Sequence, residues 1–505
     1  MSKAKSVVAA GHELTASAAA EILADGGNAF DAAIAGVCMS FVAEAVFASP
    51  GGGGFLMGRQ ADSEAVRLFD FFVETPLKRR PASEVSFFPI QADFGPATQE
   101  FHIGLGSSAT PGMAQGLFAM HEAYGRLPMK CLVEPAVRAA RSGFSLSAFQ
   151  AYLFTVIAPI LTASAGVAKI FAPGGAPMKA GETFRNEGLA ETLEWLAEDG
   201  ARLFVDGDVG KAIVAQSRDL GGYLTHEDLK RYEVELREPL FWRHGGATVA
   251  LNPPPAASGP LIAFGLSFLD AHLQQGGRID TLGVHAAMEA TNAVRDKHGD
   301  GLAACLGGDA LAKEMCAAAQ HKQAYRGTTH ISVIDAEGNA ASVSLSNGEG
   351  NGAIVGPFGF MLNNMLGEED VTPGDEWREG TRLSSMMAPT IIMEADGTVT
   401  ALGTGGSNRI RTAVLQVAVN LLAHGMSLED AVATPRLHVE RSGVTSFEPG
   451  LSEEAEAAFR ALGDRGHAWP EPNLFFGGVH AARRRGKGDV EGAGDPRRQG
   501  AARVV

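Results

Sequence analysis

A chain of 505 residues with 45% hydrophobic content can bury a large core, and its length suits two to three ordinary domains or one large layered one. A formal net charge of -16 and a pI near 5.4 argue against a phosphate-binding surface, so no nucleic-acid partner is expected. The four cysteines, Cys38, Cys131, Cys305 and Cys316, are dispersed without a C-x-x-C pair, which argues against a zinc site or a disulfide framework and leads us to expect reduced, buried thiols.

At the N-terminus two early lysines, Lys3 and Lys5, precede an apolar run that Gly11, His12 and Glu13 interrupt, so no signal-peptide core forms and the cytoplasm is the expected location. No stretch approaches transmembrane length, and no membrane partner is expected. Asn28 stands before an Ala-rich run to about Val46 with Asp31 three residues on, predicting a capped, largely buried helix. The glycines of "SPGGGGFLMG" (49 to 58) predict a turn and close backbone packing into a following strand. A phosphate loop is not expected there, because no Gly-Lys-Ser/Thr follows.

Helical patterns dominate the middle of the chain. Thr225 and Asp228 predict a capping box, and "NPPPAASGP" (252 to 260) a rigid loop before the next helix. After Gly327 the composition shifts to strands. Thr329 to Asp335 and Ala340 to Ser346 read as a hairpin turned at 336–339, and 388–403 as a second one turned at Asp396-Gly397. A helix is predicted from about Arg411 to His424, ended by Gly425, with Ser427 and Asp430 capping the next. The tail from Arg483 is polar and charged and is expected to be partly loose. Strands and helices interleaved in this way imply sheets covered by helices.

The sequence has no G-x-S-x-G elbow, H-E-x-x-H, P-loop or strand-to-helix G-x-G-x-x-G, and no metal ligand set or cofactor is expected. What remains is a threonine at the head of a strand, Thr328, preceded by Gly327. A cut before Thr328 would free an α-amine able to act as base for its own hydroxyl. Gly327 tolerates the backbone geometry that such a cut requires and leaves its carbonyl unshielded. Gly405 and Gly406 in "ALGTGGSNRIR" can bring backbone N–H groups to an oxyanion, and Ser384 and Ser385 in "RLSSMMAPT" can donate to a carboxylate.

Taken in order, "GGNAFDAAIA", "GGGGF", "YGRLP", "GGYLTHEDL", "PPPAASG", "TTHISVIDAEGNA", "LNN", "RLSSMMAPT", "GGSNRI" and "GAGDPRR" resemble the γ-glutamyltranspeptidase family of N-terminal nucleophile hydrolases over nearly the whole chain. The resemblance implies an α/β four-layer αββα sandwich. It also implies autocatalytic cleavage between Gly327 and Thr328 into a large subunit, 1–327, and a small subunit, 328–505, which stay together as one intertwined domain. By similarity Thr328 is the nucleophile, Ser346 stands for a second threonine near it, and Gly405 and Gly406 are the oxyanion glycines.

The resemblance breaks in substrate recognition. Phe72 occupies the place of an arginine that grips the glutamyl carboxylate, while Ser384 and Ser385 are kept. Lys78, Arg79 and Arg80 follow nearby as possible substitutes for that arginine. Met365 replaces a glutamine, Glu368 keeps a negative charge for an ammonium group, and Asn347 is positioned to supply a displaced asparagine. The expected activity is transfer of a γ-glutamyl group, from glutathione or a similar amide, to water or an amine. The alternatives are an acylase for a glutaryl-type amide and a non-catalytic relative.

Overall fold

In the computed structural model, which describes residues 5–63, 65–93, 98–298, 327–368, 377–486 and 488–505, the hairpin after Gly327 is the centre of the molecule. Strands Thr329–Ile334 and Ala340–Ser346 pair antiparallel, with Thr329 opposite Leu345 and Ile334 opposite Ala340. Asp335 closes the turn, its Oδ1 accepting from the N–H groups of Glu337, Gly338 and Asn339.

Two antiparallel sheets are stacked face to face. Among the described residues the first has seven strands, in the order 501–504, 7–10, 329–334, 340–346, 53–59, 66–71 and 235–237. The second has six: 490–493, 478–484, 399–405, 390–393, 247–251 and 240–244. Helices Glu13–Ala24, Ala29–Ala43 and Met113–Tyr124 cover the outer face of the first sheet, and Ser258–Gln274 and Arg409–Leu422 cover the second. This is the expected αββα layering. The period-2 pattern of the hairpin explains the inner layers: Ile331, Val333, Val343 and Leu345 join the core under the outer helices, while His330, Ser332, Ser342 and Ser344 face the other sheet.

Local signals read from the sequence form as expected at Asn28, whose side chain caps Phe30 and Asp31, and at Thr225, whose N–H Asp228 accepts at 2.7 Å. The four-glycine stretch enters strand Gly53–Arg59 because its neighbours leave no room for a side chain. A Cβ on Gly54 would fall 2.4 Å from the Ser344 carbonyl oxygen and 2.9 Å from the Phe71 ring.

Three expectations need correction. The helix after "GGSN" begins at Arg409, two residues early, because Asn408 and Ser407 already turn into it. The tail is not loose: it supplies strands Gly478–Arg484, Val490–Ala493 and Ala501–Val504, the last an edge strand on Val7–Ala10. Its charges are buried because they pair, Arg436 with Asp495 at 2.6 Å and Arg497 with Glu448 at 2.5 Å. Cys38 is buried, but Cys131 is exposed on its helix; Cys305 and Cys316 lie outside the described residues.

Between the sheets lies a polar layer. His330 bonds Ser344 through Nδ1 and Ser332 through Nε2, each at 2.9 Å, and the Asp495 N–H donates to His480 Nδ1 at 3.3 Å. Burial holds the His330 pKa well below the ordinary value near 6.5 and brings His480 down to about 4. The unfolded chain therefore takes up protons before the folded one does, so stability is full above pH 6.5 and is lost as the pH falls toward 4. His480 alone accounts for about 3 kcal/mol over that window. Equilibrium urea unfolding of an uncleaved Thr328→Ala chain is expected to be flat from pH 8 to 7 and to weaken steadily below 6.5; a flat profile down to pH 4.5 would refute the buried neutral histidines.

Candidate active site

Thr328 immediately precedes Thr329–Ile334, an inner strand of the first sheet, and is 2% exposed. The backbone on both sides of the Gly327–Thr328 bond is held. Ser346 Oγ, at the end of the partner strand, donates to the Gly327 carbonyl oxygen at 2.6 Å, and the Gly348 N–H orients that hydroxyl from 3.1 Å. The Gly327 N–H donates to Glu349 Oε1 at 2.9 Å. The Thr328 carbonyl accepts from Arg498 Nη1 at 3.0 Å.

The glycines opposite are required by space. A Cβ on Gly405 would lie 2.0 Å from the Thr328 carbonyl oxygen, and Gly406 has φ +130°, a region L side chains rarely adopt. Both precede the helix Arg409–Leu422, whose N-terminal end adds positive potential nearby. Gly327 and Gly406 line one cavity. Its apolar wall includes Val46, Phe47, Leu153 and Phe475, and its charged groups are Glu349, Arg409 and Arg498.

The structure thus gathers Gly327, Thr328, Ser346, Gly405 and Gly406 at one point. Of these five, Gly327 and Gly406 line the cavity, and none of the expected substrate-binding residues does. Ser384 Oγ donates to the Pro255 carbonyl at 2.9 Å, and Ser385 Oγ accepts from the Met387 N–H at 3.1 Å. Asn347 Oδ1 accepts from Ser49 Oγ at 2.9 Å, and Glu368 sits behind Gly348, where a Cβ would fall 2.2 Å from its Oε1. Phe72 is buried against Phe55, with ring centroids 5.5 Å apart, and Met365 joins the same core cluster.

Of the three cations that follow Phe72, namely Lys78, Arg79 and Arg80, none lines the cavity. Arg79 stacks on Trp377 at 4.4 Å, Arg80 donates to the Gly222 carbonyl at 2.9 Å, and Lys78 is exposed. Sequence reasoning missed Glu349 and Arg498. Both lie inside quoted or adjoining stretches, "SNGEG" and "GAGDPRR", but nothing in their spacing points to Thr328. Among the described residues no cluster of three or more His, Cys, Asp or Glu side chains could hold a metal, and no helix is long and apolar enough to cross a membrane.

Two stacked antiparallel sheets between helical layers, with a buried threonine leading a central strand, define a hydrolase fold of the N-terminal nucleophile type. The family follows from comparison: the chain belongs to the gamma-glutamyltranspeptidase family, whose model matches residues 15–505. It is 29% identical over 514 residues to the Acylase ACY 1 proenzyme of Pseudomonas sp. (strain V22), covering 97% of this chain and 91% of the relative. It is also 29% identical over 518 residues to the Glutathione hydrolase proenzyme of Escherichia coli (strain K12), covering 94% and 88%. The crystal structure of cephalosporin acylase from Bacillus halodurans superposes with a TM-score of 0.82 over 99% of this chain and 96% of that one; at 23% identity the likeness speaks for the fold alone.

Proposed function

We propose that this protein is a precursor that cleaves itself between Gly327 and Thr328 and then transfers acyl groups from amide donors through an ester on Thr328. The observation that carries this reading is the Ser346 hydroxyl donating to the Gly327 carbonyl beside a buried Thr328. Attack by Thr328 Oγ forms the O–C bond and breaks the C–N bond, and the hydroxyl proton passes to the departing nitrogen. Ser346 stabilises the oxyanion formed on the way. Water then hydrolyses the ester, leaving a Gly327 carboxylate and a free Thr328 α-amine.

In the mature enzyme that amine takes the Thr328 hydroxyl proton as Oγ attacks a donor amide, then returns it to the leaving amine. Gly405 and Gly406 face the developing oxyanion. Water or a second amine releases the acyl group. The large subunit is 1–327 and the small subunit 328–505.

Family membership and relatives named glutathione hydrolase support γ-glutamyl amides as donors. A second reading, an acylase for glutaryl-type amides that lack the α-amino group, is favoured by Phe72, which leaves the carboxylate grip without its guanidinium, and by the backbone engagement of Ser384 and Ser385. Initial rates on γ-glutamyl and glutaryl p-nitroanilides separate the two. A γ-glutamyl enzyme turns over the first at least tenfold faster, whereas faster glutaryl turnover establishes the acylase; no turnover of either by the cleaved protein would defeat both donor assignments.

A further inference from the structure

The nucleophile's backbone is held by a charged side chain from the far end of the chain. Arg498 is 5% exposed, donates from Nη1 to the Thr328 carbonyl at 3.0 Å and lies over the Phe47 ring, 5.4 Å from its centroid. The space for it is built by glycines. A Cβ on Gly405 would fall 2.6 Å from Arg498 Nη1, and one on Gly478 would fall 2.5 Å from its Cδ. Asp495, three residues earlier, makes its ion pairs with Arg436 and Arg497 and, like Glu44, acts on Arg498 through its charge alone. Burial lowers the Arg498 pKa to about 10, which still leaves it a cation at neutral pH.

A residue's carbonyl oxygen and its nitrogen are joined through one Cα, so a guanidinium on the Thr328 carbonyl lies within roughly 6 Å of the Thr328 nitrogen. A cation at that distance disfavours an ammonium. The other charged groups around the site act in both directions. Glu349, which accepts the Gly327 N–H, favours an ammonium, while Arg409 across the cavity opposes it. Glu44 takes hydrogen bonds from Thr15 Oγ1 at 2.7 Å and Thr329 Oγ1 at 2.5 Å, and burial raises its pKa. His330 and His480, in the layer between the sheets, are kept neutral by burial.

We propose that Arg498 is a positioning residue for the catalytic base: it fixes the Thr328 carbonyl and, as a buried cation, offsets Glu349 so that the α-amine freed by cleavage stays neutral and able to accept the hydroxyl proton. The inference rests on Thr328 being the nucleophile. Arg498→Lys keeps a charge near the carbonyl, while Arg498→Met keeps the bulk and removes the charge.

The test begins with intact masses of each purified protein under denaturing conditions, followed by kcat/KM against pH on the better of the two anilides. The Thr328 amine of the wild type is titrated directly by competitive labelling with trace acetic anhydride, read on the N-terminal peptide of the small subunit. The wild-type amine is expected to titrate below the ordinary α-amine range of about 7.7–8.0. The acidic limb of kcat/KM is expected to move up by about one pH unit in Arg498→Met and to stay near the wild-type position in Arg498→Lys. A wild-type amine titrating at or above the ordinary range overturns the inference, as does an Arg498→Met enzyme that loses rate with its limb unmoved. Should Arg498→Met fail to mature, the wild-type amine titration and the Arg498→Lys profile decide. A wild-type protein that remains one full-length mass would instead defeat the nucleophile reading itself.

Discussion

Thr328→Ala is expected to give a single 505-residue chain that never divides and has no turnover above background. The substitution removes one hydroxyl from a side chain that is 2% exposed, while the contact to Arg498 is made by the backbone carbonyl and survives. The fold should therefore lose only about 1 kcal/mol, the scale of one hydrogen bond, whereas the reaction loses its attacking atom. Intact mass and circular dichroism together make the distinction: a folded, undivided chain is the expected result. Appearance of the 178-residue fragment beginning at residue 328 would sink the assignment of Thr328. Thr328→Ser, which keeps a hydroxyl at the same place, is expected to cleave, more slowly.

Ser346→Ala carries the second large effect. Its hydroxyl is 2.6 Å from the carbonyl oxygen that the proposed cleavage turns into an oxyanion, and it is itself held by the Gly348 N–H. Removing one such donor from a buried site costs about 10²- to 10³-fold in rate. A time course of intact masses after expression at low temperature is expected to show slow accumulation of the two fragments. Ser346→Thr keeps the hydroxyl and is expected to recover most of the speed. Cleavage of Ser346→Ala at the wild-type rate would mean that the carbonyl contact has no part in the chemistry.

Much of this site is written in short stretches of sequence. The hairpin from Thr329 to Ser346 declares itself because alternation at period 2 matches the pleat, and because Asp335 and Gly338 complete a turn within a few residues. The caps at Asn28 and Ser427 are legible for the same reason: donor and acceptor lie three residues apart. Gly405 and Gly406 could be picked out by type, although only the packed structure shows that a Cβ on Gly405 would strike the Thr328 carbonyl. The expectation of a loose tail failed because composition counts charges without their partners. Arg436, Glu448, Asp495 and Arg497 are buried together only after three separate segments meet.

The amino-acid sequence by itself determined the layered fold, the hairpin, the threonine at its head and the family, since each depends on local periodicity, turn chemistry or ordered motifs. Only the tertiary structure decided what surrounds that threonine. Ser346 reaches the Gly327 carbonyl across a strand pair, Glu349 accepts the Gly327 N–H from the loop that follows, and Arg498 reaches the Thr328 carbonyl from 170 positions away. It also decided that Phe72, Ser384 and Ser385 turn to core and backbone partners and leave the cavity to Glu349, Arg409 and Arg498. Such contacts depend on which backbones approach closely enough to bury a charge or a hydroxyl, and residue type and spacing along the chain carry no record of that distance.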